Sequence, residues 1–179
     1  MRIEKLPAGP KGKVPNVVYV FVEVPKGSNI KHEVDEKSGT LIVNRILFTA
    51  YVYPGDYGFI PQTLGEDGDH LDCLVLVNEP SYPGTVLPAR PISVIRVRDE
   101  NGRDDKILAV PAERVDPRFK EIKDLKDVPT HYKKELKNFF EHMKELEPGK
   151  WLKVERFENA EAAKKTILEA MEAYKKFKK

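Results

Sequence analysis

Hydrophobic positions recur with one spacing up to about residue 127 and with another beyond it. The first apolar run, Val17-Val18-Tyr19-Val20-Phe21-Val22-Glu23-Val24, is β-branched and aromatic and predicts a strand. Its single charge, Glu23, needs a partner wherever it is buried. After a turn at Pro25–Asn29, Ile30-Lys31-His32-Glu33-Val34 alternates as a half-buried strand does. Asp35–Gly39 predicts a hairpin turn, and Thr40–Leu47 returns as a strand with Arg45 among apolar neighbours. The tyrosine-, glycine- and proline-rich stretch Tyr51–Pro61 predicts a rigid loop offering several hydroxyls. Cys73-Leu74-Val75-Leu76-Val77 reads as a buried strand. Pro80–Pro91 holds four prolines and predicts irregular structure; Ile92–Arg98 and Lys106–Val110 flank a hairpin loop with Asn101-Gly102 at its tip.

From Val128 the period lengthens to that of a helix. Thr130 is placed to cap a helix with an apolar stripe of Tyr132, Leu136, Phe139, Phe140, Met143 and Leu146, stopped by Glu147-Pro148-Gly149. Trp151–Phe157 predicts a last strand, and Asn159 caps a final helix with Ala163, Ile167, Met171 and Tyr174 inward. Many short strands followed by helices predict a mainly β, α+β fold: a closed barrel with helices packed outside, one domain over residues 1–179.

Composition narrows the function classes. A net charge of +2 implies neither nucleic acid nor membrane, and its basic excess lies in the helical tail while the strand-rich part is net acidic. The single Cys73 excludes an intramolecular disulfide and a multi-cysteine zinc site. No apolar leader or span-length stretch is present, which predicts a cytoplasmic protein. Charged residues at 34% exceed the usual quarter, an enrichment shared by heat-adapted proteins.

The chemistry concentrates in Glu66-Asp67-Gly68-Asp69-His70-Leu71-Asp72, four carboxylates in seven residues running straight into a strand. Two carboxylates held about 5 Å apart repel by roughly 3 kcal/mol at an effective dielectric near 20, so such a loop either splays into water or holds a cation. An EF-hand starting at Asp67 fails at Leu71, Asp72 and Asn78. Phosphate-loop, nucleophile-elbow and zinc-helix motifs are missing, and His32, His131 and His142 read as surface residues. There remains a surplus of hard oxygen ligands at strand ends, Glu23, Asp67, Asp69, Asp72, Asp99, Glu100 and Asp104, beside Lys31, Arg45, Tyr57 and Lys106. Carboxylates without thiolates favour Mg²⁺ or Mn²⁺, and divalent ions with Lys and Arg suit a phosphate-rich substrate.

The acidic run closely resembles the Asp-x-Asp-x-x-Asp signature of family I soluble inorganic pyrophosphatases. Tyr53-Pro54-x-x-Tyr57-Gly58, Lys31-x-Glu33, Asp99-Glu100 with Asp104-x-Lys106, Phe139-Phe140-Glu141-His142, Gly149-Lys150-Trp151 and Glu158-Asn159-Ala160 extend the likeness over roughly residues 16–175. The resemblance implies a five-stranded, OB-like barrel hydrolysing pyrophosphate with several Mg²⁺ ions per site, Mn²⁺ or Zn²⁺ substituting. By that likeness Asp67, Asp72 and Asp104 hold the metals that ionise the attacking water, with Asp99 and Glu23 further out. Asp69 is the general base with Tyr53 beside it; Lys31, Arg45, Tyr57, Lys106 and Lys144 grip phosphate; Glu33 and Glu100 support. It also implies a homohexamer. Met143 stands where relatives often carry a phosphate-binding tyrosine, and His70 where proline is common, which predicts one lost contact and a loosened or re-aimed loop. The contrasting expectation is a non-catalytic OB-type barrel binding nucleic acid or Ca²⁺.

Overall fold

The computed structural model describes residues 3–35 and 38–178. Nine strands precede or separate two helices: β1 Val18–Val24, β2 Ile30–Asp35, β3 Thr40–Ile46, β4 Asp56–Phe59, β5 Asp72–Val75, β6 Val86–Asp99, β7 Gly102–Arg103, β8 Lys106–Pro111, α1 Thr130–His142, β9 Leu152–Glu158 and α2 Ala160–Phe177. The sheet closes because β1 pairs antiparallel with both β4 and β6. The order β1-β4-β5-β8-β6 therefore returns on itself as a five-stranded ring, the expected barrel. Within it only β5 and β8 run parallel. β7 and β9 extend the sheet from β6, while β2 and β3 form a separate two-stranded sheet. Glu36 and Lys37 of the predicted hairpin turn lie outside the described residues.

β1, β5 and β8 read as largely apolar runs because both faces are buried. Along β5 and β8, Cys73, Val75, Ile107 and Ala109 pack with Ala163, Ile167 and Ala170 of α2. The alternate residues Leu74, Leu108 and Val110 pack with Leu136, Phe139 and Phe140 of α1. Each helix thus seats on one phase of the period-two pattern.

Local differences from the sequence reading have physical causes. The tyrosine-rich loop contains a strand, β4, buried throughout and paired on both sides. β6 begins at Val86, inside the proline-rich stretch, and absorbs Pro91 at a register shift where the proline removes no ladder bond. The β6–β7 turn has Glu100-Asn101 at its tip, with Gly102 paired to Asp99 at φ +130°. Thr130 is the first helical residue; the cap is Pro129, with no side-chain bond. α1 stops at His142, leaving Leu146 and Tyr132 exposed off the predicted stripe. Asn159 caps α2 as expected, accepting from the Ala162 N–H at 3.0 Å.

β4 lies so close to β1 that its middle residue must be glycine. A Cβ on Gly58 would stand 1.8 Å from the Phe21 carbonyl oxygen. Gly58→Ala is expected to cost about 3 kcal/mol or more, since backbone cannot give way as a side chain does. Thermal unfolding reads this as a Tm drop of roughly 10 °C.

Candidate active site

Strand register builds the acidic side of the site. The parallel β5–β8 pairing sets Asp72 directly beside Lys106. The buried Lys106 ammonium donates to Asp72 Oδ2 at 2.6 Å and to Asp104 Oδ1, two residues before it. The Tyr57 hydroxyl, reaching across from β4, donates to the same Asp72 oxygen at 2.5 Å. Burial alone would raise the Asp72 carboxyl, but the Lys106 and Lys31 charges and these hydrogen bonds outweigh it and hold it low. Asp104 goes the other way: burial, with the Asp72 and Asp67 charges, lifts it to about 6 against Lys106. Burial would lower Lys106, yet its two carboxylates keep it above its ordinary value.

The loop before β5 is closed locally. Gly68, at φ +91°, lets the chain reverse, the Gly65 N–H donates to the Asp69 carbonyl at 2.7 Å, and the Asp69 N–H donates to Asp67 Oδ1 at 3.1 Å. His70, expected to loosen this loop, fastens it. Its Nδ1 lies 2.7 Å from the Thr63 carbonyl, and its ring stacks on Phe59 at 4.9 Å and meets Tyr174 at 5.6 Å. The exposed Asp69 is raised by partial desolvation and by its neighbours Asp67 and Asp72.

The opposing side is cationic. On the β2–β3 hairpin Lys31 and Arg45 are cross-strand partners, a like-charge pairing that is unfavourable by itself. Each has a carboxylate to hand: Lys31 Nζ meets Glu33 at 2.8 Å, and Arg45 Nε donates to Glu147 at 3.0 Å. The turn after α1 adds Lys144, 3.4 Å from Asp99, and Lys150, 2.6 Å from Glu100. Slight burial works against it, but Lys150 and backbone N–H groups hold Glu100 down at about 2.

These walls enclose a cleft of about 290 Å³. Lys31, Arg45, Tyr53, Tyr57, Asp67, Asp69, Asp72, Asp99, Glu100, Asp104, Lys106 and Lys144 line it. Of the expected residues, Glu23 and Glu33 do not. Glu23 is buried behind the acids, where desolvation and then the Asp72 charge push it up to about 8, with Lys31 only partly offsetting. Sequence reasoning missed Asn101 and Phe140 on the lining and the Glu147 grip on Arg45. Glu147 lay in the predicted helix stop, and no spacing rule ties it to a strand 102 positions earlier. Met143 lines the cleft with a buried thioether, which donates no hydrogen bond. The Tyr53 hydroxyl, also on the lining, is buried without a hydrogen-bond partner among the described residues.

Among the described residues no three carboxylates already converge as a ready metal cage, for Lys106 stands between Asp72 and Asp104. The donor set nonetheless fits hard divalent cations. All its negative donors are carboxylate oxygens, Cys73 is buried in the core, and His70 is committed to Thr63. Burial first, and neighbouring carboxylates second, lift Asp104 and Glu23, so positive charge added beside them would favour their ionised forms.

The family model for inorganic pyrophosphatase matches residues 20–175, nearly the whole chain. The chain belongs to the inorganic pyrophosphatase family. It is 50% identical to the inorganic pyrophosphatase of Saccharolobus solfataricus over 93% of this chain and 97% of that one. It is 52% identical to that of Nanoarchaeum equitans, covering 89% and 98%. The crystal structure of the Thermus thermophilus inorganic pyrophosphatase superposes with a TM-score of 0.92 at 43% identity, over 98% of this chain and 99% of the other. The family barrel and the two late helices are therefore shared along the full length of the fold.

Glu23 gives this family member a pH-dependent stability. Its folded value of about 8 lies above the ordinary 4.5, so the folded state holds the proton more tightly than the unfolded chain. That contribution is complete below about pH 4.5 and drains away as pH rises to about 8. In chelator, Tm is expected to fall across this window and Glu23→Gln to flatten the fall; parallel wild-type and variant curves would refute the assignment.

Proposed function

We propose that this chain hydrolyses inorganic pyrophosphate to two orthophosphates in a Mg²⁺-dependent reaction, with Asp69 as general base. The observation that carries the reading is the facing of a carboxylate wall and the Lys31–Arg45 cation pair across one cleft, in a chain of this family. Pyrophosphate carries several negative charges and repels a nucleophile of the same sign, so the site must neutralise substrate and position water at once. Lys31, Arg45, Lys106, Lys144 and the Tyr57 hydroxyl bind the phosphates. Lys31, Arg45 and Lys144 exchange their present carboxylate partners for phosphate oxygens as substrate enters. Asp67, Asp72 and Asp104, with Asp99 and Glu23 in outer roles, would hold Mg²⁺ (or Mn²⁺ or Zn²⁺), which would supply charge neutralisation and acidify water. The Asp69 carboxylate accepts the water proton as the water oxygen joins one phosphorus and the bridging P–O bond breaks. Its exposed place at the loop tip and its raised carboxyl support that role. Tyr53 shares the cleft lining with the base, and Glu33 and Glu100 keep Lys31 and Lys150 in place.

A nucleic-acid groove wants an open basic, aromatic surface, whereas six carboxylates, Asp67, Asp69, Asp72, Asp99, Glu100 and Asp104, stand on this lining. The protein works in the cytoplasm as a homo-oligomer, a hexamer by family likeness. No helix among the described residues is long and apolar enough to cross a membrane. The exposed Ile42, Val43, Ile46 and Phe48 offer surface for assembly.

Phosphate release from pyrophosphate, ATP and a sugar phosphate, with and without Mg²⁺, tests class, cofactor and substrate together. Release is expected from magnesium pyrophosphate and is abolished by chelator. Asp69→Asn is expected to lower kcat by about 10²-fold or more with Tm unchanged. Full turnover in that variant would remove Asp69 from the mechanism.

A further inference from the structure

Asp104 and Asp105 are adjacent acids with opposite fates. Asp104 faces the cleft, whereas the Asp105 carboxylate is saturated by the chain's own donors: the Val97 N–H at 3.2 Å, Arg96 Nη1 at 2.6 Å and Arg103 Nε at 2.8 Å. The Val97 carbonyl in turn accepts from the Asp104 N–H at 3.0 Å, so one β6 residue grips both aspartates. Arg96 is itself anchored to Glu158 at the end of β9 and to Thr166 on α2. From Asp105 the chain of contacts runs on through Arg103, whose Nη1 donates to Glu66 Oε1 at 3.2 Å, into the acidic loop.

That last link matters because the acidic end of the loop, Glu66 and Asp67, is exposed, whereas its far end is held by His70 and Leu71. A second cavity of about 340 Å³ lies between it and α2, with Asp67, Asp72, Asp104 and Asp105 all on its wall. A void transmits no restoring force, so the loop's position there depends on polar ties. The acids proposed to hold metal come from two separate segments, the 66–72 loop and the residues before β8. The Glu66–Arg103–Asp105–Arg96 chain spans the two from behind.

We infer that Asp105 is a positioning residue which, through Arg103 and Arg96, fixes the spacing between the Asp67 and Asp104 carboxylates and thereby sets divalent-cation affinity. The inference rests on the metal-dependent reading above but assigns a residue outside the cleft. Groups that orient metal-binding side chains from behind typically change affinity by about 10–100-fold when removed.

The test is calorimetric titration of Mg²⁺ into chelator-stripped protein without substrate. Asp105→Asn is expected to weaken binding about tenfold or more. Arg103→Ala, which removes the bonds to Glu66 and to Asp105 but leaves Arg96 on Asp105, is expected to weaken it several-fold. Arg98→Ala removes the surface pair with Glu155 from the same strand and serves as the control, binding as wild type. Mg²⁺ affinity unchanged in both Asp105→Asn and Arg103→Ala, against tight wild-type binding, overturns the inference. No Mg²⁺ binding by the wild type overturns the metal-dependent reading instead. If Asp105→Asn fails to fold, Arg103→Ala decides alone, because Arg103 is exposed and its loss leaves the Arg96–Asp105 bond intact.

Discussion

A buried lysine shared by two aspartates is the interaction on which the rest of this molecule depends. Lys106 is buried, and among the described residues Asp72 and Asp104 are the carboxylates paired with it. Removing either partner from such a group typically costs about 3–5 kcal/mol, because an unmatched charge is left behind. The pairing exists because β5 and β8 run parallel at that register, within a ring closed by β1. Barrel closure, strand direction and the charge arrangement of the cleft are therefore one constraint seen at three scales.

The two walls are each unfavourable alone. Lys31 facing Arg45 repels, and burial together with neighbouring acids lifts Asp104 and Glu23 above the ordinary carboxylate range. The resting protein manages this with exchangeable pairs, Arg45 with Glu147 and Lys144 with Asp99, each contributed by the turn after α1. Those pairs keep the cationic side chains on the cleft lining, and in the proposed reaction they give way to phosphate.

Much of this was legible in the sequence because it is written in local pattern. The apolar runs at Val18–Val24, broken only by Glu23, and after Lys106 are plain, and the acids of the 66–72 loop are close together in sequence. What escaped was set by tertiary context. β4 is hidden among Tyr, Pro and Gly, and is a strand because β1 and β5 supply partners on both edges. β6 runs through two prolines that local rules assign to a loop, since a register shift accommodates Pro91. Helical periodicity carried α1 on to Leu146, but the chain leaves the helix after His142, and Lys144 and Glu147 then reach the cleft. Asp104 and Asp105 are indistinguishable by type and position. Only the arginines behind Asp105 separate a cleft acid from an internal anchor.

The hairpin carrying Lys31 and Arg45 is a sheet of its own, joined to the barrel at its base by such contacts as the Leu47 N–H to the Asn29 carbonyl and the Tyr53 N–H to the Ser28 carbonyl. The acids belong to the closed ring. In the proposed reaction orthophosphate leaves from between a wall built into the closed ring and a wall carried on a separate sheet, which His32 at the Glu23 carbonyl and Arg45 at Glu147 also tie to the body.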